Sequence, residues 1–372
     1  MGRGSGAGRT GMIGATLSLY LAKRFVKTIL AIFLTIFCLM FVIGFVELLR
    51  RTRDNPEVGT GMVALMSIMR APYAAESILP FAVLFGAMAT FVDLTRKLEL
   101  IVARAAGVSV WQFLAPPVMV AFLLGVGSVG LYNPISATLK QRSDQLEFQL
   151  FGVAGSTRLD HSLWLREHGV DGLAIIHAMN ASKGSTELDN VSVDVYAPDG
   201  SFLERIEAAR GLLQPGAWLL TGARVTAPGE ATAAYDNYLL ATYMTPEELA
   251  KTSAPPQGVP FWGLPALTEK TLAAGLDARG YMLQFQRLLA RPLLLVAMVL
   301  VAASFSLRFF RFGGVARTLA GGVVAGFVLY IVTEVFSDLG GAGTISPSLA
   351  AWSPALVGSM LGTLSLLHSE DG

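Results

Sequence analysis

The chain has 372 residues, 53% hydrophobic and 15% charged, with a mean hydropathy of +0.55. That is too apolar for a soluble domain of this length, so a lipid bilayer is its main solvent. A formal net charge of +1, with no lysine or arginine run interleaved with aromatics, excludes a nucleic-acid groove, and the single cysteine, Cys38, excludes an intramolecular disulfide.

Residues 1–15 form a Gly/Arg-rich extension without apolar periodicity, expected to be disordered, with Met12 as an alternative start. Thr28–Val46 carries no charge and is longer than a signal-peptide core. It runs into Glu47-Leu48-Leu49-Arg50 and not into a small-residue cleavage site, so it reads as a retained anchor. Uncharged cores follow at Ser77–Val92 and Ala105–Leu139, and after a polar block at Pro292–Leu307, Thr318–Thr333 and Leu339–Leu367. A helix rises about 1.5 Å per residue, so crossing about 30 Å of hydrocarbon takes about 20 residues. The second, fourth and fifth cores must therefore borrow charged flanks whose stems lie in the membrane. The third and sixth exceed one crossing, and their ends at Asn133-Pro134 and Ser346-Pro347 are expected to be re-entrant or interfacial.

Lysines and arginines near the span ends orient the chain. With the N-terminus inside, the inner set is Arg3, Arg9, Lys23, Arg24, Lys27, Arg96, Lys97, Arg104, Arg308, Arg311 and Arg317, against Arg50, Arg51 and Arg53 in the outer short loops. Eleven against three places both termini in the cytoplasm and the polar block outside, which in a bacterium is the periplasm. The chain then divides into spans one to three (16–139), the outer block (140–275), spans four to six (276–367) and a short tail (368–372).

Within the block, Asn190–Tyr196 alternates polar and apolar, Asp199-Gly200 is a hairpin turn, and Ser201–Arg210 is the returning strand. Leu173–Met179, Gly216–Val225 and Tyr238–Met244 read as further strands of an all-β sandwich or open barrel. Trp164, Ile175, Val193, Val195 and Trp218 either fill its core or line a groove. Gln141–Phe151 reads as a helical or extended neck, and Thr268–Arg291 as an amphipathic helix feeding the fourth span.

Several chemistries find no support. There is no G-x-x-x-x-G-K-[ST], so the chain has no P-loop of its own. His161, His168, His177 and His368 match no zinc-ligand spacing. Ser109 lacks the closing glycine of a nucleophile elbow. No catalytic residue, metal site or bound cofactor is assigned.

The stretches Leu19-Tyr20-Leu21-Ala22-Lys23-Arg24-Phe25, Val46-Glu47-Leu48-Leu49-Arg50-Arg51, Leu98–Ser109 and Tyr132-Asn133-Pro134 resemble the LptF/LptG permease family. Gly326–Phe336 is nearer the LptG branch. The resemblance covers nearly the whole chain. It implies an α-helical membrane protein of six transmembrane helices, three plus three, around a periplasmic β-jelly-roll. It further implies a permease subunit of the ABC transporter that extracts lipopolysaccharide from the bacterial inner membrane, as a heterodimer of LptF and LptG on an LptB ATPase dimer that consumes ATP and Mg, with lipid passing through the β domain to LptC and LptA. The N-terminal extension departs from the family pattern. A lipoprotein-release or mechanotransmission permease is the alternative, although such proteins carry one span before the large domain; a membrane-anchored β-domain scaffold is another.

Charged side chains and close-packing glycines supply the candidate sites. Arg50, Arg51 and Arg53 on the outer side outnumber Glu47, so their guanidinium forks are candidates for lipid-phosphate binding, with Arg70 a further one. The resemblance implies that Glu99 and Arg104, on the inner loop, serve in coupling to the ATPase; read by themselves they mark the boundary of a solvated interfacial helix. Glu334 and Asp338 stand at the outer end of the fifth span. Gly322 and Gly326 form a G-x-x-x-G pair that permits close helix approach, either within the chain or to the partner permease.

Overall fold

The computed structural model describes residues 6–52, 59–151, 163–169, 172–182, 186–197, 200–229, 231–242, 256–273, 277–307 and 315–370. They fall into two compact units: Met1–Leu139, Pro260–Trp262 and Met282–Gly372 in one, Lys140–Val259 and Gly263–Tyr281 in the other.

The first unit is helical. Helix α1 (Gly6–Thr52) pairs with α2 (Thr60–Arg96), and the short α3 (Glu99–Ala105) precedes α4 (Val110–Gly127). A π-helical turn, Ser128–Tyr132, carries α4 directly into α5 (Asn133–Phe151). After the β unit and α6 (Leu264–Ala273) come α7 (Arg279–Ser306), α8 (Val315–Gly341) and α9 (Pro347–Glu370). Among the described residues six stretches are long and apolar enough to cross a membrane: Thr16–Thr52, Thr60–Arg96, Val110–Glu147, Arg279–Ser306, Leu319–Gly341 and Pro347–His368.

Local chemistry sets these boundaries. Ser109 Oγ accepts from Gln112 N and Gln112 Oε1 accepts from Ser109 N, both at 3.2 Å, a reciprocal cap that starts α4. Gly107, with φ +86°, closes α3 through Gly107 N to Arg104 O at 2.9 Å, a left-handed stop that glycine takes without a Cβ penalty.

Two expectations are corrected, and the start of the sixth span is made specific. Asn133-Pro134 is not re-entrant: the π turn absorbs one residue and the helix continues through the proline to Phe151. Ser346-Pro347 is a helix start, with Pro347 at the first helical position, where its missing N–H costs nothing. The helix expected over Thr268–Arg291 is two helices, ending at Ala273 and restarting at Arg279, whose N–H donates to Asp277 Oδ1 at 2.9 Å. The expected N-terminal disorder meets a helix that begins at Gly6, while residues 1–5 lie outside the described set.

The helical core is built on α2 and α7. Leu84, Phe91, Leu114, Leu295 and Met298 are buried there with Phe25 of α1. By contrast, Leu30, Leu34, Leu39 and Ile43 of α1 are exposed in the isolated chain, as a helix facing lipid or another subunit requires. Gly125 of α4 faces α7 so closely that a methyl group there would overlap the Pro292 backbone. Backbone cannot rotate aside, so Gly125→Ala is expected to cost about 1–3 kcal/mol of overpacking. Gly127→Ala, where nothing lies within 4 Å, is the control. Thermal midpoints of the two purified proteins should separate, with only the Gly125 variant lowered.

The second unit holds one antiparallel sheet in sequence order: β1 (Leu163–Gly169), β2 (Gly172–Ser182), β3 (Glu187–Tyr196), β4 (Phe202–Gln214), β5 (Ala217–Thr226) and β6 (Ala233–Ala241). Alternation buries one face: Val191, Val193 and Val195 of β3, Ile206 and Ala208 of β4, and Trp218 and Leu220 of β5 share a core. Val193, Val195 and Trp218 are thus core residues. Gln214 pairs with Ala217 across Pro215-Gly216, where Gly216 takes φ +86°. Gly200, φ +84°, stands at the β3–β4 turn, and Asp199 lies outside the described residues. The described strands form a meander, and strand β1 adds to those expected from the sequence.

Candidate functional site

The α3 corner gathers charge from three helices. Arg24 of α1 extends its fork between α2 and α3: Nη1 donates to Glu99 Oε1 and Oε2 at 3.0 and 3.1 Å, and Nη2 pairs with Asp93. Tyr20 Oη donates to Glu99 Oε2 at 3.1 Å and accepts from Arg24 Nη1 at 2.7 Å, while Lys97 Nζ lies 3.3 Å from Asp93 Oδ2. A planar guanidinium can serve two carboxylates at once, which a lysine ammonium does with less directional control. Arg24 keeps only 15% of its side chain exposed and Glu99 34%. The acid is therefore held inward by α1.

The chain reaches α3 through Leu98, whose φ of +60° is a left-handed conformation that a leucine adopts only when its surroundings enforce it. Leu98 and Val102 are 56% and 67% exposed, and Arg104 is exposed in the last turn. So Glu99 and Arg104 share one short helix but have different roles in it: Glu99 is anchored, whereas Arg104 stands with an apolar pair on an open surface.

At the other end of α1, Arg50 is exposed and Arg51 Nε donates to Glu47 Oε1 at 3.0 Å, with both partners about half exposed. Such an i,i+4 pair is worth only a few tenths of a kcal/mol. Arg70 is half-buried on α2, and Arg53 lies outside the described residues.

Gly322 and Gly326 face α2 of the same chain. A methyl group on Gly326 would overlap Leu84, and one on Gly322 would meet Met88 and Phe305. Within this chain their lack of a Cβ is used in packing α8 against α2 and α7.

A further cluster lies inside the helical unit. Glu76 of α2, only 4% exposed, pairs with Arg291 of α7; its Oε1 accepts from Asn133 Nδ2 at 2.9 Å and its Oε2 from Ser136 Oγ at 2.6 Å. Asn133 Oδ1 in turn accepts from the backbone N–H of Phe261 at 2.9 Å. One turn before Arg291, Arg287 Nη2 pairs with Glu334 of α8 at 2.8 Å, which gives Glu334 a partner. In the sequence Glu76 and Arg291 read as flanks, because the uncharged cores begin one residue after each, at Ser77 and Pro292. Two opposite charges abutting two apolar cores was the available signal.

Among the described residues no three His, Cys, Asp or Glu side chains converge as metal ligands. The family described as "Lipopolysaccharide export system permease LptF/LptG" matches residues 19–368. The chain is 23% identical over 347 residues to the lipopolysaccharide export system permease protein LptG of Escherichia coli K12, covering 91% of this chain and 94% of that protein. It is 22% identical over 366 residues to the LptG of Haemophilus influenzae, covering 94% and 95%. With six apolar helices among the described residues, split three and three around an antiparallel sheet, and a family match along almost its full length, this chain belongs to the LptF/LptG family of lipopolysaccharide export permeases.

Proposed function

We propose that the chain is the LptG-type subunit of the exporter, paired with an LptF-type permease and driven by a separate LptB-type ATPase dimer that holds the ATP and Mg. The observation that carries the coupling assignment is the α3 corner. A short helix tied by Arg24 to the first span, and presenting Leu98, Val102 and Arg104 outward, is the kind of surface that seats in a groove of a soluble partner. The positive-inside count supports an orientation with this corner and both termini in the cytoplasm and the β unit in the periplasm. There the sheet would offer its edge strands toward LptC and LptA. On the same orientation Arg50, Arg51 and Arg53 meet the outer leaflet, where lipid A phosphates lie, with Arg70 a further contact.

The two roles are separable. Arg50→Glu, Arg51→Glu and Arg53→Glu together are expected to lower lipopolysaccharide retained on the purified complex several-fold, with the ATPase still copurifying. Glu99→Lys is expected to do the reverse, because repulsion from Arg24 displaces α3. Bound lipid by mass spectrometry and ATPase recovery are the readouts. Normal lipid in the triple variant would reduce the basic cluster to a solvated helix end, and normal ATPase recovery and transport in Glu99→Lys would remove the coupling assignment.

A further inference from the structure

The buried carboxylate of Glu76 sits where three helices are each weakened. On α2, Pro72 and Pro80 lie one turn to either side of it, and Pro80 withholds the N–H that would close the helical bond to the Glu76 carbonyl. On α7, Arg291 directly precedes Pro292. Along α4 and α5, Asn133 follows the π turn and precedes Pro134, and Ser136 lies just beyond. π turns and internal prolines are the ordinary causes of bending in helices.

One freed backbone carbonyl is re-used across the bundle, and a second helix carbonyl takes a side-chain donor as well. Pro134 lacks the donor for the Gly130 carbonyl, and Trp262 Nε1 donates to that carbonyl at 3.2 Å. Tyr132 Oη donates to the Pro72 carbonyl at 2.9 Å. Asn133 and Phe261, 128 residues apart and both in the helical unit, are bonded to each other and, through Asn133, to Glu76.

A desolvated ion pair is a poor source of net stability compared with an apolar pair of similar volume, and an ionisable side chain at membrane depth is expensive to keep. Fixing a geometry is the more economical reason to retain one. We propose that Glu76 is a positioning residue for lipid transport: with Arg291 it forms a polar pin at the level where α2, α4–α5 and α7 are each free to bend, and it sets the angle at which they pivot during the transport cycle. The inference rests on the transporter reading above.

The test uses the whole complex of both permeases and the ATPase in proteoliposomes, with lipopolysaccharide delivered per ATP hydrolysed as the readout. Two variants are compared with the unsubstituted complex: Glu76→Leu combined with Arg291→Met, which exchanges the pair for apolar groups, and Glu76→Gln, which keeps hydrogen-bonding capacity without charge. Both are expected to assemble, the double variant with a thermal midpoint within a few degrees of the unsubstituted complex and Glu76→Gln with a lower one because Arg291 loses its counter-charge, and both are expected to deliver about tenfold less lipid per ATP. Delivery within twofold in either intact variant would overturn the proposal, because the pair would then be a packing feature. Failure of both variants to assemble would overturn it too, since the network would then serve assembly and not the cycle. Absence of delivery by the unsubstituted complex would instead sink the transporter reading itself.

Discussion

Arg291→Met alone is expected to destabilise the helical unit by about 3–5 kcal/mol, the usual cost of stranding one member of a buried ion pair. The stranded group is the Glu76 carboxylate, 4% exposed, which keeps Asn133 and Ser136 as donors but loses its only described cationic partner. Methionine matches the length of the arginine stem, so cavity formation adds little. Adding Glu76→Leu to the same background removes the uncompensated charge and should recover most of the loss. Equilibrium denaturation in mixed micelles measures all three proteins. A single variant within about 1 kcal/mol of the parent would show that water or a rearranged donor already solvates this carboxylate.

Arg24→Glu is expected to lower lipid-linked ATP hydrolysis tenfold or more, a larger effect than neutralisation by Arg24→Gln. The native guanidinium stands between two carboxylates on different helices, Asp93 and Glu99, so reversal replaces two attractions by two repulsions within one corner. The corner is partly exposed, and solvent screens the energies involved. The geometric consequence is larger than the energetic one, because Leu98 holds a left-handed backbone that relaxes once α3 is untethered. ATPase stimulation by lipopolysaccharide, compared with hydrolysis in its absence, is the measurement. Equal stimulation in Arg24→Glu and the unsubstituted complex would show that α3 is positioned by its ATPase contact and not by α1.

The six spans were legible because an uncharged run of this length has few other solutions, and β2 to β5 because their alternation is clean. Strand β1 was not, since Arg166-Glu167-His168 interrupts the apolar alternation. Among the described strands it pairs with β2 alone and is an edge of their sheet, where charge is tolerated and guards against unwanted pairing. Asn133-Pro134 read as a re-entrant or interfacial end because the uncharged run exceeds one crossing. The compensation comes from Trp262, 132 residues after the Gly130 carbonyl that Pro134 leaves without a donor, which no local pattern displays. Glu99 could be picked out by its position in a short loop, but its partner Arg24 is 75 residues earlier and read as an orienting charge in a family-like stretch, with nothing local to pair the two. Gly322 and Gly326 were recognisable as a close-approach pair. Which helix they approach depends on the rotation of α8, and that is a tertiary fact.

A π turn is an α-helix carrying one residue more than its register needs, and each residue rotates the downstream helix by about 100°. Shortening Ser128–Tyr132 by one would leave every other amino acid in place and still swing Asn133 and Ser136 away from the Glu76 carboxylate. The polar pin therefore depends on chain length as much as on composition. In descent, such a contact is gained or lost by an insertion or deletion, an event that aligned columns of amino acids register as a gap and not as a changed residue.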